Sequence, residues 1–147
     1  MLATTCDIDG VLQLYMECLN VPQQDYYNTK DSIEKFLFEH LGRDVFISCI
    51  MQDDKVVSMA VLSVGIHAPD STIYSYNGKF GILKNIYTSP EYRNRRFASG
   101  CINELICFAG DNHVRYIFAN TGPSSILNAL QFSKANDNTY MIDMNGV

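Results

Sequence analysis

Residues 79–120 have the pattern of a strand, a helix and a second strand in close succession. An apolar run covers 79–87, and a shorter apolar run follows at 115–120. Between them, apolar residues recur at helical spacing over 96–109, and Gly110 is expected to end that helix. Two strands joined by one helix are expected to pair in parallel through a right-handed crossover. The unit therefore predicts an open sheet with a helix packed against it.

Two amphipathic helices are predicted upstream of this unit. Apolar residues recur at i, i+3, i+4 and i+7 through 8–19, which indicates one buried helix face. A second helix is predicted to begin with a capping-box-like segment at Asp31 and to end at Gly42. This reading leaves 21–30 as a polar loop between the two helices.

The middle of the chain changes from helical to strand periodicity. Residues 45–51 and 56–66 are rich in β-branched residues, and the polar segment 52–55 between them predicts an antiparallel hairpin. Asn77-Gly78 predicts a second hairpin turn, between strands at 72–76 and 79–87.

The C-terminal part is predicted to add a short helix over 124–132 and a last strand over 139–144. The resulting order of elements is typical of an α/β (α+β) domain with a mixed sheet and helices on both faces. Since no linker, repeat or low-complexity segment interrupts the chain, residues 1–147 are predicted to form a single domain.

Composition excludes several classes of function. The 16 acidic residues outnumber the 11 lysines and arginines, which argues against a general nucleic-acid-binding protein. No apolar run approaches the roughly 18 residues of a membrane span. The first residues lack the basic and apolar regions of a signal peptide, so a soluble cytoplasmic protein with no membrane partner is expected.

The 5 cysteines are scattered and include no C-x-x-C pair. They are therefore expected to be small buried apolar residues, with no metal site and no disulfide framework.

An arginine-rich turn joins the strand at 79–87 to the helix that follows it. Arg93, Arg95 and Arg96 stand together just before the helix. The first N–H groups of a helix have no intrahelical partner, and the helix dipole places positive charge there. The turn therefore predicts a diphosphate-binding site. Two alternatives remain at this point, a solvated helix face and a docking patch for an acidic partner that high salt would screen.

The segment 85–98, Asn-Ile-Tyr-Thr-Ser-Pro-Glu-Tyr-Arg-x-x-Arg-x-Ala, resembles the acyl-CoA-binding motif of the GCN5-related N-acetyltransferase (GNAT) family. That motif reads Gln/Arg-x-x-Gly-x-Gly/Ala after an apolar strand and a proline. The resemblance extends over most of the chain and implies a GNAT-like acyl-CoA N-acyltransferase fold with a mostly antiparallel sheet. The family's first strand would be reduced here to about residues 2–5.

The resemblance also implies a set of cofactor contacts. The main chain of Ile86 and Thr88 would pair with the pantetheine arm of acetyl-CoA, and the N–H groups between Arg93 and Ser99 would bind its diphosphate. The implied cofactor-binding residues are Ile86, Thr88, Arg93, Asn94, Arg95, Arg96, Phe97, Ala98 and Ser99.

Two positions depart from the family's pattern. Arg96 stands where the first signature glycine is usual, so its side chain must point away from the ligand or contact it. A second register, Arg95-x-x-Ala98-x-Gly100, would restore small residues, but it shifts the spacing from the proline. Near the C-terminus, Leu127 stands where many relatives have a tyrosine that protonates the CoA thiolate.

Acetyl transfer requires a neutral amine and an acceptor for its proton. Asn85 and Tyr87 alternate with Ile86 along the strand and are the candidates nearest the acetyl group, although both also fit simple packing or hydrogen bonding. Tyr26, Tyr27 and His67 are substrate-side candidates, each with a packing or solvated role as the alternative.

The resemblance implies transfer of an acetyl group from acetyl-CoA to a primary amine of a small molecule or peptide by direct attack. The alternative is a catalytically impaired acyl-CoA-binding or regulatory module of the same fold. Either would be a monomer or a homodimer without a metal.

Overall fold

The computed structural model describes residues 1–66, 78–120 and 124–144. Within these ranges the chain forms four α-helices and six β-strands in the following order: α1 (Ile8–Leu19), α2 (Tyr26–His40), β1 (Val45–Gln52), β2 (Lys55–Ile66), β3 (Lys79–Thr88), α3 (Phe97–Asp111), β4 (Tyr116–Ala119), α4 (Ser124–Ala129), β5 (Ser133–Asn136) and β6 (Thr139–Asp143). None of these helices has both the length and the apolar character needed to cross a bilayer.

The six strands form one mixed sheet in the order β1-β2-β3-β4-β6-β5. Only β3 and β4, which α3 connects, are parallel, and every other neighbouring pair is antiparallel. The predicted parallel pair and the mostly antiparallel sheet are therefore confirmed. The family's first strand is reduced to a single bridge between Leu2 and Ser48 at the edge of β1.

Helices cover both faces of the sheet, as predicted. On one face, Ile102 and Leu105 of α3 and Leu127 of α4 pack in a buried cluster with Leu83 of β3. On the other face, residues of α1 and α2 pack against β1 and β2 in a second cluster, which includes Leu37 of α2. Burial of these two apolar layers is the main stabilising contribution to the fold.

The β1–β2 hairpin turns at Asp53 and Asp54, which have φ angles of 52° and 61°. Two successive left-handed residues match the right-handed twist of the flanking strands, and Asp tolerates this conformation better than most residues. The predicted hairpin is confirmed.

Strand β3 contains a bulge that positions the functional site. Lys84 lies opposite Val61 and Tyr87 lies opposite Met59, so Asn85 and Ile86 together face the one residue between them. Asn85 has a φ of 50°, as an extra residue in a bulge often requires. Because β4 pairs with β3 only as far as Leu83, residues 84–88 have no strand on that side among the described residues.

The predicted start of the second helix is wrong. Helix α2 begins at Tyr26, so the predicted loop 21–30 is mostly helical or part of the 3₁₀ turn before it. Ser32, in the predicted capping box, bonds instead to the carbonyl oxygen of Asn28 from within the helix, at 2.9 Å. Tyr26 lies on the same helix face as Ile33 and Leu37, at i, i+7 and i+11, and is half-buried, so the amphipathic face continues through this earlier turn.

Two later helix ends also differ from prediction. Gly110 lies inside α3, which ends at Asp111, because His113 takes the left-handed position beyond the helix with a φ of 60°. Helix α4 ends at Ala129 rather than 132, and the short edge strand β5 follows it. All four residues of β5 are exposed, so no alternation of apolar and polar residues marked it as a strand.

The prediction for the cysteines is only partly right. Cys49 and Cys101 are buried and Cys18 is half-buried, but Cys6 and Cys107 are exposed. Burial raises the pKa of the Cys49 thiol to about 11. The predicted strand 72–76, its turn residue Asn77 and the candidate His67 lie outside the described residues.

Candidate functional site

A cavity of about 670 Å³ opens where β3 ends and α3 begins. It lies beside the part of β3 that β4 does not cover. Its lining residues come from the end of β3, the turn after it, the first turn of α3 and α4: Ile86, Tyr87, Thr88, Tyr92, Arg93, Asn94, Arg96, Phe97, Ala98, Ser99 and Ile126. Every residue predicted to contact the cofactor lines this cavity except Arg95.

The first turn of α3 forms one wall of the cavity, and no side chain caps it. Asn94 and Arg96 both have left-handed backbones, with φ angles of 63° and 62°, and they turn the chain sharply into the helix. The N–H groups at such a helix start lack intrahelical acceptors and carry the positive end of the dipole. This wall can therefore bind an anion through the main chain.

The three arginines of the turn have different surroundings. Arg93 donates from Nε to the carbonyl oxygen of Thr88 at 2.8 Å, and its guanidinium lies 5.5 Å from the centre of the Tyr87 ring. Arg95 stacks on Tyr92 at 5.4 Å and does not line the cavity. Arg96 is exposed and lines it. Arg93 thus contacts both the end of β3 and the cavity, and Arg96 adds a second cation to the cavity lining.

Tyr92 connects this turn to the β1–β2 hairpin. Its ring is buried, and its hydroxyl donates to Asp53 Oδ2 at 2.8 Å. The hydrogen bond to this carboxylate raises the pKa of Tyr92. Sequence reasoning missed Tyr92, although a tyrosine between charged residues in an exposed turn was the available signal.

Asn85 and Tyr87 share the face of β3 that packs on α1. Asn85 Oδ1 accepts a hydrogen bond from the Tyr15 hydroxyl at 2.9 Å, and the Tyr87 hydroxyl donates to Glu17 Oε1 at 3.1 Å. Burial, followed by the hydrogen bond to Glu17, raises the pKa of Tyr87, so the phenol is protonated at neutral pH. Sequence reasoning missed Tyr15 and Glu17, because they lie 70 residues before their partners.

Tyr87 lines the cavity, whereas Asn85 and the other described sequence candidates lie apart from its lining. Tyr26 and Tyr27 are in the first turn of α2, where their rings meet edge to face with centroids 5.5 Å apart, and Tyr27 is 72% exposed. Leu127 is only 1% exposed and belongs to the core, while its neighbour Ile126 lines the cavity. Across the described ranges, no group of three His, Cys, Asp or Glu side chains is arranged to hold a metal ion.

The model of the Acetyltransferase (GNAT) family matches residues 8–134 of this chain. The chain belongs to this family. A comparison with curated proteins finds no match.

Solved structures of acetyltransferases share the GNAT fold of this chain. A predicted acetyltransferase from Clostridium acetobutylicum, solved with acetyl-CoA, has a TM-score of 0.78 at 16% identity over 93% of this chain and 90% of its own. A GCN5-related N-acetyltransferase from Ralstonia eutropha has a TM-score of 0.74 at 13% identity, over 93% of this chain and 92% of its own. An N-acetyltransferase from Staphylococcus aureus has a TM-score of 0.68 at 20% identity, over 98% of both chains.

Proposed function

We propose that this GNAT protein transfers an acetyl group from acetyl-CoA to a primary amine of a small molecule or peptide. The observation that carries the proposal is the cavity itself, where an uncapped helix start faces a stretch of β3 without a strand partner among the described residues. The relative from Clostridium acetobutylicum, solved with acetyl-CoA, supports this choice of acyl donor. We propose further that residues 1–147 act as a single domain.

The two walls of the cavity suit the two parts of the cofactor. The backbone of Ile86 and Thr88 is available to pair with the amides of the pantetheine arm, as an added strand would. The first-turn N–H groups of Phe97, Ala98 and Ser99 are available to the diphosphate, and the exposed Arg96 adds a positive charge. Ala98 is small enough to let the phosphates approach the backbone.

Transfer proceeds by direct attack of the neutral amine on the thioester carbonyl. The C–N bond forms as the C–S bond breaks, the amine loses a proton, and the CoA thiolate gains one. Leu127 has no proton to donate and lies in the core, so we assign thiolate protonation to water. Since Tyr87 is already protonated and Asn85 is not a base, we assign acceptance of the amine proton to a water beside Tyr87 in the cavity.

Substitution of Ala98 tests this site. Ala98→Phe fills the helix start and is expected to weaken acetyl-CoA binding at least about tenfold, since a ring there blocks the approach of the phosphates. Ala135→Phe, on the exposed strand β5, is the matched control and should bind like the parent protein. Calorimetry measures both affinities. An unchanged affinity in Ala98→Phe would show that the cofactor does not bind at this turn.

Transfer is then followed by mass spectrometry of an amine panel. A thiol reagent is unsuitable for detecting released CoA, because Cys6 and Cys107 are exposed and would react as well. Acetylated product that requires both acetyl-CoA and protein supports the proposal. Acetyl-CoA binding without transfer to any amine would contradict its catalytic half and favour the binding-module alternative.

A further inference from the structure

The Tyr87 ring separates a cationic side of the site from an anionic one. On the cavity side the Arg93 guanidinium lies 5.5 Å from the ring centre, beside the arginine-rich turn. At the hydroxyl end, Glu17 Oε1 accepts the hydrogen bond of Tyr87 at 3.1 Å. A ligand that extends past Tyr87 from the cofactor cavity therefore moves from positive to negative surroundings.

Glu17 does little to stabilise the fold. It is exposed in the last turn of α1, where the negative end of the helix dipole disfavours a carboxylate. No lysine, arginine or histidine in the described ranges forms an ion pair with it. Its Oε2 atom has no hydrogen-bond partner among those same residues, so half of the carboxylate remains open to a ligand.

The position of Glu17 relative to the cavity is well defined. The hydrogen bond of 2.9 Å between Tyr15 and Asn85 ties α1 to the bulge of β3, and Glu17 follows two residues later on the same helix. Burial raises the pKa of Tyr15, which keeps its hydroxyl a donor to Asn85. Glu17 thus lies at the end of β3 that leads into the cavity, and Tyr87 connects the two.

We propose that Glu17 binds a second ammonium group of the acceptor, so that the preferred acceptors are aliphatic diamines or longer amines with a remote cationic group. The inference rests on the proposed function and names the substrate class of the same site. Glu17 determines specificity and does not touch the reacting atoms. The net charge of −5 also favours encounter with a cationic acceptor.

The test compares amines that differ only in the remote group. Acetyl transfer is measured for diamines from diaminopropane to diaminooctane, for n-alkylamines of the same lengths, and for the corresponding ω-amino acids. At the best chain length the diamine is expected to exceed the monoamine by about tenfold in kcat/KM, because a charge-assisted contact contributes on this scale. The ω-amino acid, whose carboxylate would face Glu17, is expected to be the poorest acceptor.

Glu17→Gln should remove the preference for diamines mainly by raising KM, with a smaller change in kcat. Glu39→Gln is the matched control, because Glu39 is also an exposed glutamate in the last turn of a helix. A melting temperature at or above that of the parent protein shows that Glu17→Gln is folded. Calorimetric binding of the best diamine to protein saturated with desulfo-CoA supplies a readout that does not depend on turnover.

The outcomes separate this inference from the proposed function. Failure to bind acetyl-CoA overturns both. If the protein binds acetyl-CoA and acetylates diamines and monoamines equally well, the inference about Glu17 is wrong and the proposed function stands. The same conclusion follows if Glu17→Gln still prefers diamines. If no amine is acetylated, equal affinity of the parent protein and Glu17→Gln for the diamine overturns the inference as well.

Discussion

Replacing Arg96 with glycine should both stabilise the protein and lower its affinity for acetyl-CoA. Arg96 precedes α3 with φ 62° and ψ 21°, a left-handed conformation that costs a non-glycine residue about 1–2 kcal/mol. Glycine removes this strain, but its greater freedom in the unfolded chain lowers the free energy of unfolding by about 0.5–1 kcal/mol. Removing a cation from the positive end of the helix dipole further raises the free energy of unfolding by about 0.3–1 kcal/mol.

The net gain from Arg96→Gly is therefore about 1 kcal/mol in the free energy of unfolding. For a chain of 147 residues, this corresponds to a rise of about 3 °C in melting temperature. The same change deletes the exposed guanidinium that lines the cavity. A solvent-exposed contact to a phosphate contributes about 1 kcal/mol, so the Kd for acetyl-CoA should rise about fivefold.

Two control variants separate these effects. Arg95→Gly changes a residue that has no positive φ and does not line the cavity, so it should lower stability by about 0.5–1 kcal/mol and leave the Kd within about twofold. Arg96→Ala keeps the left-handed strain and deletes the charge, so it should weaken binding and raise the free energy of unfolding by only the about 0.3–1 kcal/mol that loss of the cation contributes.

Urea denaturation and calorimetry with acetyl-CoA measure the two quantities independently. A loss of stability in Arg96→Gly would refute the argument from backbone strain. An unchanged Kd would show that the Arg96 side chain points away from the cofactor, the other possibility for this position.

Two further substitutions concern α4 and the turn after it. Gln131→Gly should raise the free energy of unfolding by about 1 kcal/mol in urea denaturation, because Gln131 has a left-handed φ of 71°. It lies in a Schellman turn, in which the N–H of Phe132 donates to the carbonyl of Leu127 and the N–H of Gln131 donates to the carbonyl of Asn128. A lower urea midpoint at unchanged m-value would count against this prediction. Leu127→Tyr should lower the free energy of unfolding by about 1–3 kcal/mol, because residue 127 is 1% exposed and a larger side chain must displace its neighbours in the core. For the same reason, the new tyrosine should fail to increase kcat. A faster enzyme after this change would mean that the tyrosine reaches the thiolate.

The positions of most elements could be predicted because the signals are local. Strand and helix periodicity located β1, β2, β3, α1 and α3, and the strand–helix–strand order required the parallel pair. The arginine-rich turn was correctly placed at the start of α3, and the structure adds a cavity beside it. That this cavity holds acetyl-CoA stays a prediction.

The roles of individual side chains could not be predicted from local pattern. The three arginines looked equivalent in the sequence. In the structure, Arg93 lines the cavity and donates to the backbone of β3, whereas Arg95 stacks on Tyr92 outside the cavity lining. Arg96 lines the cavity and makes neither of these two contacts. The start of α2 was misplaced because the capping-box pattern at Asp31 lies five residues inside the helix, where the Ser32 hydroxyl bonds to the carbonyl oxygen of Asn28 and caps no helix end.

By itself, the sequence determined the order of the described strands and helices except β5, the sign of charge at the helix start and the departures at Arg96 and Leu127. Only the tertiary structure decided which side chains meet. In a regular strand Leu83 and Tyr87 would share a face, but Leu83 packs under α3 while Tyr87 reaches Glu17 on α1. The bulge at Asn85 makes this change of face, because one extra residue reverses the alternation for all that follow.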